Sequence, residues 1–168
     1  KENYENYFLP TGGCSGPEVV ELNDDVVIMA IDSQWWLTDW DKVKHINDGC
    51  ELKNREHFVF EFENIARKYR NKQVVIAMHY PMFTYGPHSG RYTLKEHLFP
   101  LTGYRPNLYV PLPGLGSLSA LVRATIGSRQ DVVNKNYQAL KKALLAGAGK
   151  NGSFIFASGH EHTLQYIE

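Results

Sequence analysis

Three histidines have the type and spacing that metal binding requires. His160 and His162 follow an apolar run, 153–158, that has the length and composition of a buried strand. His79 stands directly behind a second apolar run, Gln73–Met78, in the same strand-end position. Because neutral imidazole is a common ligand of zinc, iron and manganese, these positions predict a metal site. A surface turn that happens to hold two of the seven histidines is the alternative for the first pair.

The turn that carries His160 and His162 begins at Gly159. Glycine adopts a positive φ without the steric penalty of a Cβ atom, so we expect Gly159 to supply the turn. Both imidazoles would then face one open cleft at the end of the sheet.

The elements around the histidines predict an α/β sheet. Two β-branched runs, 18–22 and 26–32, are joined by a short polar connection, and we expect them to be antiparallel strands. Apolar residues recur at helical spacing through 54–70, where Asn54 is the expected cap. Strand 26–32, this helix and strand 73–78 form a β-α-β unit. In such sheets, ligands gather at the carboxyl ends of the strands.

The segment 83–128 is rich in Gly, Pro, Tyr and Leu and has only patchy periodicity. This pattern predicts a long active-site loop system or an insertion. Within it, 117–126 is expected to form a short helix and 111–116 to be irregular. We expect the apolar 111–116 to pack against this domain; docking on another domain, a partner or a membrane surface is the alternative.

A further amphipathic helix is predicted over 131–145, with Asp131 as its N-cap and Gly147 as its terminator. Trp35, Trp36 and Trp40 are expected to pack on the core, and the wall of a substrate cleft is the alternative role.

Composition describes a globular protein without a general charge bias. Lysine plus arginine and aspartate plus glutamate both number 18, so nothing indicates nucleic-acid binding. No run has the apolar length of a transmembrane segment. Cys14 and Cys50 lie in Gly-containing loops that a disulfide could join, which would fit an exported protein, periplasmic or extracellular. Two free thiols in a cytosolic protein are the alternative.

The histidines and their neighbours resemble a known family. His-Tyr-Pro at 79–81 and, after a long intervening segment, Gly-His-Glu-His at 159–162 resemble the last two motifs of the calcineurin-like metallophosphoesterase superfamily. His88 and the Leu-Gln-Tyr at 164–166 look most like the purple acid phosphatase branch. Ile76 stands where those enzymes usually have Val.

The resemblance implies a phosphoesterase with two metal ions. His79 and His160 would bind one ion and His162 the other, while His88 would lie near the substrate phosphate. Iron, zinc and manganese are the candidate ions. Two ions about 3.5–4 Å apart stabilise both the attacking and the leaving oxygens of an in-line displacement. The expected substrate is a phosphomonoester; the alternatives are a phosphodiesterase or nucleotidase of the same superfamily, or a non-catalytic interaction domain.

The resemblance also implies a fold of which this chain is one part. Residues 1–168 would be the C-terminal half of a four-layer α/β/β/α sandwich, with mixed sheets flanked by helices and a long loop or insertion at about 98–130. Three earlier motifs of the family, Asp-x-His, Gly-Asp-x-x-(Asp or Tyr) and Gly-Asn-His-(Asp or Glu), do not occur here. Asp32 ends a strand but lacks the glycine that precedes the bridging aspartate. We therefore expect that a missing N-terminal half is required and that this chain alone is inactive.

Overall fold

The computed structural model describes residues 8–38, 49–86, 89, 93–103, 105–126, 129, 131–150, 152–161 and 164–168. The chain divides into two compact units. Lys1–Met82 and Ala139–His162 form the first unit, and Phe83–Gln138 and Thr163–Glu168 form the second. The sheet that carries His79 and His160 belongs to the first unit.

A four-stranded mixed sheet organises the first unit. β1 (Glu18–Glu21) is antiparallel to β2 (Val26–Ile31), and β3 (Gln73–Met78) and β4 (Phe154–Ser158) continue the sheet in parallel, in the order β1-β2-β3-β4. The α/β class and the antiparallel pair are confirmed. The four-layer sandwich remains a prediction.

The turn between β1 and β2 is held by a side chain. Asn23 Oδ1 accepts hydrogen bonds from the backbone N–H groups of Asp25 and Val26, both at 2.8 Å. An Asn side chain that bonds the backbone ahead of it stabilises a tight connection without glycine.

Two capped helices follow β2 in the described part of the chain. α1 (Ser33–Leu37) begins after Asp32, whose side chain accepts from the Trp35 N–H, and α2 (Arg55–Lys68) begins after Asn54, whose side chain accepts from the His57 N–H at 2.7 Å. The helix and the cap predicted at 54–70 are confirmed. The apolar face of α2 buries Phe58, Phe62 and Ala66.

Trp35 and Trp36 pack on the core as expected. Both are buried, and their ring centroids lie 6.0 Å and 5.5 Å from that of Phe58. These two tryptophans therefore belong to the core. Trp40 lies outside the described residues.

The last described helix differs from its prediction at both ends. α5 runs from Lys135 to Gly149, so Asp131 lies three residues before the cap position and is instead buried. Asn134 directly precedes the helix, and its side chain accepts from the Asn136 N–H at 2.9 Å. The prediction chose Asp131 because both residue types favour caps, and composition does not distinguish their positions.

Gly147 was expected to end α5, and this was wrong. The helix continues for two residues beyond it. A Cβ atom at Gly147 would lie 2.6 Å from Cε1 of Phe62, so the absent side chain lets α5 approach α2 closely. This glycine serves helix packing rather than termination.

The run 153–158 forms β4 as predicted, but its burial was wrong. Alternate residues of β4 are half-buried and the others are exposed, including Ile155. The reason is its position: among the described residues β4 is an edge strand, bonded to β3 alone. Apolar composition could not show that one edge would be left open.

The second unit contains α3 (Leu94–Leu98), a 3-10 turn (Pro100–Gly103) and α4 (Pro113–Ile126). The predicted irregular conformation of 111–116 was wrong, because α4 begins at Pro113. Proline is tolerated in the first turn of a helix, where its missing N–H group would have had no partner. The expected burial is confirmed only in part: Gly116 is buried and Leu112 is half-buried, but Leu115 is 61% exposed.

Cys14 and Cys50 form a disulfide, with sulfurs 2.06 Å apart. The pairing of the two loops is confirmed and the free-thiol alternative is wrong; export from the cytosol remains a prediction. Within the described parts of the chain, no helix has both the length and the apolar character needed to cross a bilayer.

Candidate metal centre

His79 and His160 meet at the carboxyl ends of neighbouring parallel strands. β3 and β4 pair up to Met78 and Ser158, and the Gly159 N–H then donates to the His79 carbonyl oxygen at 3.1 Å. This extends the ladder by one step and fixes both histidines immediately past the sheet. Their ring nitrogens, His79 Nε2 and His160 Nδ1, lie 3.2 Å apart.

His160 adopts a backbone conformation that is uncommon for a residue with a Cβ atom. Its φ is 70°, and the Glu161 N–H donates to the Gly159 carbonyl oxygen at 2.9 Å, which closes a three-residue γ-turn around His160. The sequence interpretation gave the turn to Gly159, and this was wrong: the positive φ falls on His160. Such conformations cost free energy and are enriched at functional sites.

Tyr80 supports both imidazoles. Its ring centroid lies 4.9 Å from that of His79 and 4.5 Å from that of His160. The tyrosine is itself fixed, because its N–H donates to Ser33 Oγ at 3.1 Å and its hydroxyl hydrogen-bonds Gln34 Oε1 at 2.6 Å. The ring is almost fully buried.

The supporting role of Ser33 and Gln34 was not predicted. They follow β2 at the same sheet edge as His79, which is the signal that could have identified them, since β2 and β3 are parallel neighbours. Asp32, at the same edge, is occupied as the cap of α1.

The imidazole pair fits two ligands of one ion. Two nitrogens each about 2.0–2.1 Å from a tetrahedral ion are about 3.3 Å apart, close to the 3.2 Å between His79 Nε2 and His160 Nδ1. Nε2 of His160 is buried, so Nδ1 is the nitrogen turned towards its neighbour, while His79 is exposed to an incoming ion. The same distance suits an N–H···N hydrogen bond whose direction depends on the tautomers.

Glu161 places a buried carboxylate next to the pair. The residue is 8% exposed, and neither side-chain oxygen has a hydrogen-bond partner among the described residues. Leaving a buried polar group unpaired costs about 1–3 kcal/mol, and more for a charged one. The position therefore calls for donors or a cation beyond those that the described residues supply.

The pair is not a complete site within the described residues. His162 and His88 lie outside them, so their predicted roles stay predictions. Among the residues that are described, no three His, Cys, Asp or Glu side chains converge to hold an ion. His79 and His160 would supply two ligands of an ion, and a third ligand would have to come from beyond the described residues.

Comparisons with protein-family models, with curated proteins and with solved structures give no match to this chain.

Proposed function

We propose that this chain is the part of a metal-dependent phosphoesterase that carries the last two ligand motifs of a two-metal centre. The observation that carries the proposal is the 3.2 Å approach of His79 Nε2 and His160 Nδ1 at adjacent strand ends. The motif resemblance to calcineurin-like metallophosphoesterases adds the reaction class, the hydrolysis of phosphate esters. Phosphomonoesters are the proposed substrates, by likeness to the purple acid phosphatase branch.

The residues of the site that the structure describes have separate roles in this proposal. His79 and His160 hold one metal ion through Nε2 and Nδ1, and the buried Tyr80 ring keeps both imidazoles in place. Ser33 and Gln34 fix Tyr80 and so act as positioning residues. Bound metal ions supply Lewis acidity that stabilises negative charge on the phosphoryl oxygens. Iron, zinc and manganese remain the proposed ions, with His162 on the second ion and His88 near the phosphate.

The proposed centre needs ligands that this sequence lacks. The absent Asp-x-His, Gly-Asp and Gly-Asn-His motifs would supply them from another part of the protein. Two features of the described part of the chain support an additional segment near the site: there, the carboxylate of Glu161 has no hydrogen-bond partner and β4 pairs on one side only. In the four-layer sandwich that we propose, this segment would lie beside the described sheet.

The test uses the natural polypeptide that contains this sequence together with the missing motifs. His79→Ala and His160→Ala should each lower the metal content by about one ion of the two and reduce turnover of a phosphomonoester by at least about 10²-fold. His57→Ala is the matched control, because His57 is an exposed histidine on α2 whose ring takes no part in the proposed site.

Metal content and turnover answer separate questions. Unchanged metal content in both variants would refute the metal assignment, whatever the activity. If the variants lose metal but the unsubstituted protein does not hydrolyse phosphate esters, the metal centre is supported and the proposed reaction is refuted. Two tightly bound ions and turnover in the 168-residue chain alone would refute the need for further ligands.

A further inference from the structure

α4 packs against α3 through a glycine, while large apolar residues of the same helix are exposed. Gly116 is buried against α3, where a Cβ atom would collide with the His97 carbonyl oxygen. Leu115 and Leu118 are 61% and 55% exposed. Amphipathic surface helices normally show the reverse arrangement, with their large apolar residues turned inward.

The exposed large apolar residues of α4 share one side of the helix. Leu115, Leu118 and Val122 follow the i, i+3, i+7 spacing of a single stripe, and the segment that leads into α4 adds further exposed apolar side chains. The members of this surface, which we call the α4 face, are Leu108, Tyr109, Val110, Leu115, Leu118, Leu121 and Val122. A concentration of exposed large apolar side chains is typical of interaction sites.

Basic residues outnumber acidic residues around the α4 face. Between residues 97 and 130 the sequence contains three arginines and no aspartate or glutamate. Arg105 is exposed, and the Lys95 ammonium lies 4.9 Å from the centroid of the Tyr109 ring. The nearest acidic residue on α3, Glu96, is held in the capping box with Thr93. The 168-residue chain as a whole has no net charge, so this basic bias is local.

We propose that the α4 face binds the surface of an anionic lipid bilayer. Leucines and a tyrosine would enter the boundary between headgroups and acyl chains, and the surrounding lysine and arginines would meet the lipid phosphates. Binding to a second copy of the chain fits less well, because a two-fold interface would bring the same basic border against itself.

Membrane association of this type needs both components. A few exposed apolar side chains bind a membrane only weakly on their own. Each basic side chain that lies within about one Debye length of an anionic lipid surface strengthens that binding. The account therefore predicts binding that depends on anionic lipid and on salt, without any segment that crosses the bilayer.

The test is sedimentation of the 168-residue chain with vesicles of phosphatidylcholine, with or without about one third phosphatidylserine. The chain should bind the anionic vesicles and should bind pure phosphatidylcholine about tenfold more weakly or less. Leu115→Ser with Leu118→Ser should weaken binding to anionic vesicles by about tenfold or more. Leu22→Ser is the matched control, since Leu22 is 57% exposed in the first unit and should not change binding.

A second pair of variants tests the charge separately. Lys95→Glu with Arg105→Glu should weaken binding by about tenfold, and Lys142→Glu with Lys150→Glu, which changes the net charge equally, should have little effect. Circular dichroism of every variant establishes that it is folded. Equal loss in both charge pairs, no binding to anionic vesicles, or a dimer that the leucine substitutions dissociate would overturn the proposal.

Discussion

The γ-turn at His160 makes a prediction about stability that reverses the usual order of two substitutions. At an ordinary position glycine is less stable than alanine by about 0.5–1 kcal/mol, because it loses more backbone entropy on folding. At a φ of 70° a residue with a Cβ atom is destabilised by about 1–2 kcal/mol relative to glycine, because the Cβ atom approaches the following carbonyl oxygen too closely. The difference favours His160→Gly over His160→Ala by about 1 kcal/mol.

Comparing these two variants isolates the free-energy cost of placing a residue with a Cβ atom at this positive φ. Both remove the imidazole, so both lose its contacts with the rings of His79 and Tyr80 to the same extent. Ala157→Gly in β4 is the control, and there glycine should be the less stable residue.

Urea denaturation followed by circular dichroism measures the effect. For a chain of 168 residues, 1 kcal/mol corresponds to a shift in Tm of about 2–4 °C, which thermal unfolding resolves. If the His160→Ala variant is as stable as the His160→Gly variant, or more stable, His160 is not held in a strained conformation.

Three further predictions concern the framework of the first unit. Cys14→Ser with Cys50→Ser should lower the free energy of unfolding by about 4 kcal/mol, from the chain entropy of a loop with a separation of 36 residues, and unchanged denaturant midpoints would contradict this. Gly147→Ala should destabilise the fold by about 1–3 kcal/mol despite the better helix propensity of alanine, because the new Cβ would lie 2.6 Å from a buried phenylalanine ring; a rise in Tm would refute it. The hydrogen bond from Lys72 holds the pKa of Glu21 below its ordinary value of 4.5, so this carboxylate stabilises the fold above that pH and ceases to do so as the pH falls through the lower, folded-state value. Glu21→Gln should slightly flatten the acid side of the stability curve, and an unchanged acid side would contradict the pairing.

Local patterns were sufficient to predict most of the sheet. β1, β2, β3 and β4 were all recognised, because strand-length apolar runs bounded by polar residues are a local signal. The β-α-β order predicted the parallel pairing of β2 and β3, but it did not predict the pairing of β3 with β4 that brings His79 and His160 together. The two nitrogens could be expected at one edge from sequence, although their 3.2 Å separation could not.

The errors at Gly147 and Gly159 share a cause, because each depended on a contact between distant residues. Gly147 was interpreted as a helix end, but its role is set by Phe62, far away in the sequence. Pro113 was taken to exclude regular structure, although a helix can begin there. Gly159 was predicted to adopt the positive φ of the turn. Its N–H instead bonds the His79 carbonyl oxygen and continues the β3–β4 ladder, and the positive φ occurs at the next residue, His160.

In the proposed centre, one metal ion is bound by both His79 Nε2 and His160 Nδ1, which face each other at the ends of β3 and β4. The direct measurement is a long-range ¹H–¹⁵N correlation spectrum of the histidine side chains during titration with Zn²⁺. We expect the ¹⁵N chemical shifts of His79 Nε2 and His160 Nδ1 to change together, with the same dependence on Zn²⁺, and those of the exposed His57 to stay unchanged. Binding through the opposite ring nitrogens, independent responses of the two histidines, or no response at saturating Zn²⁺ would contradict it.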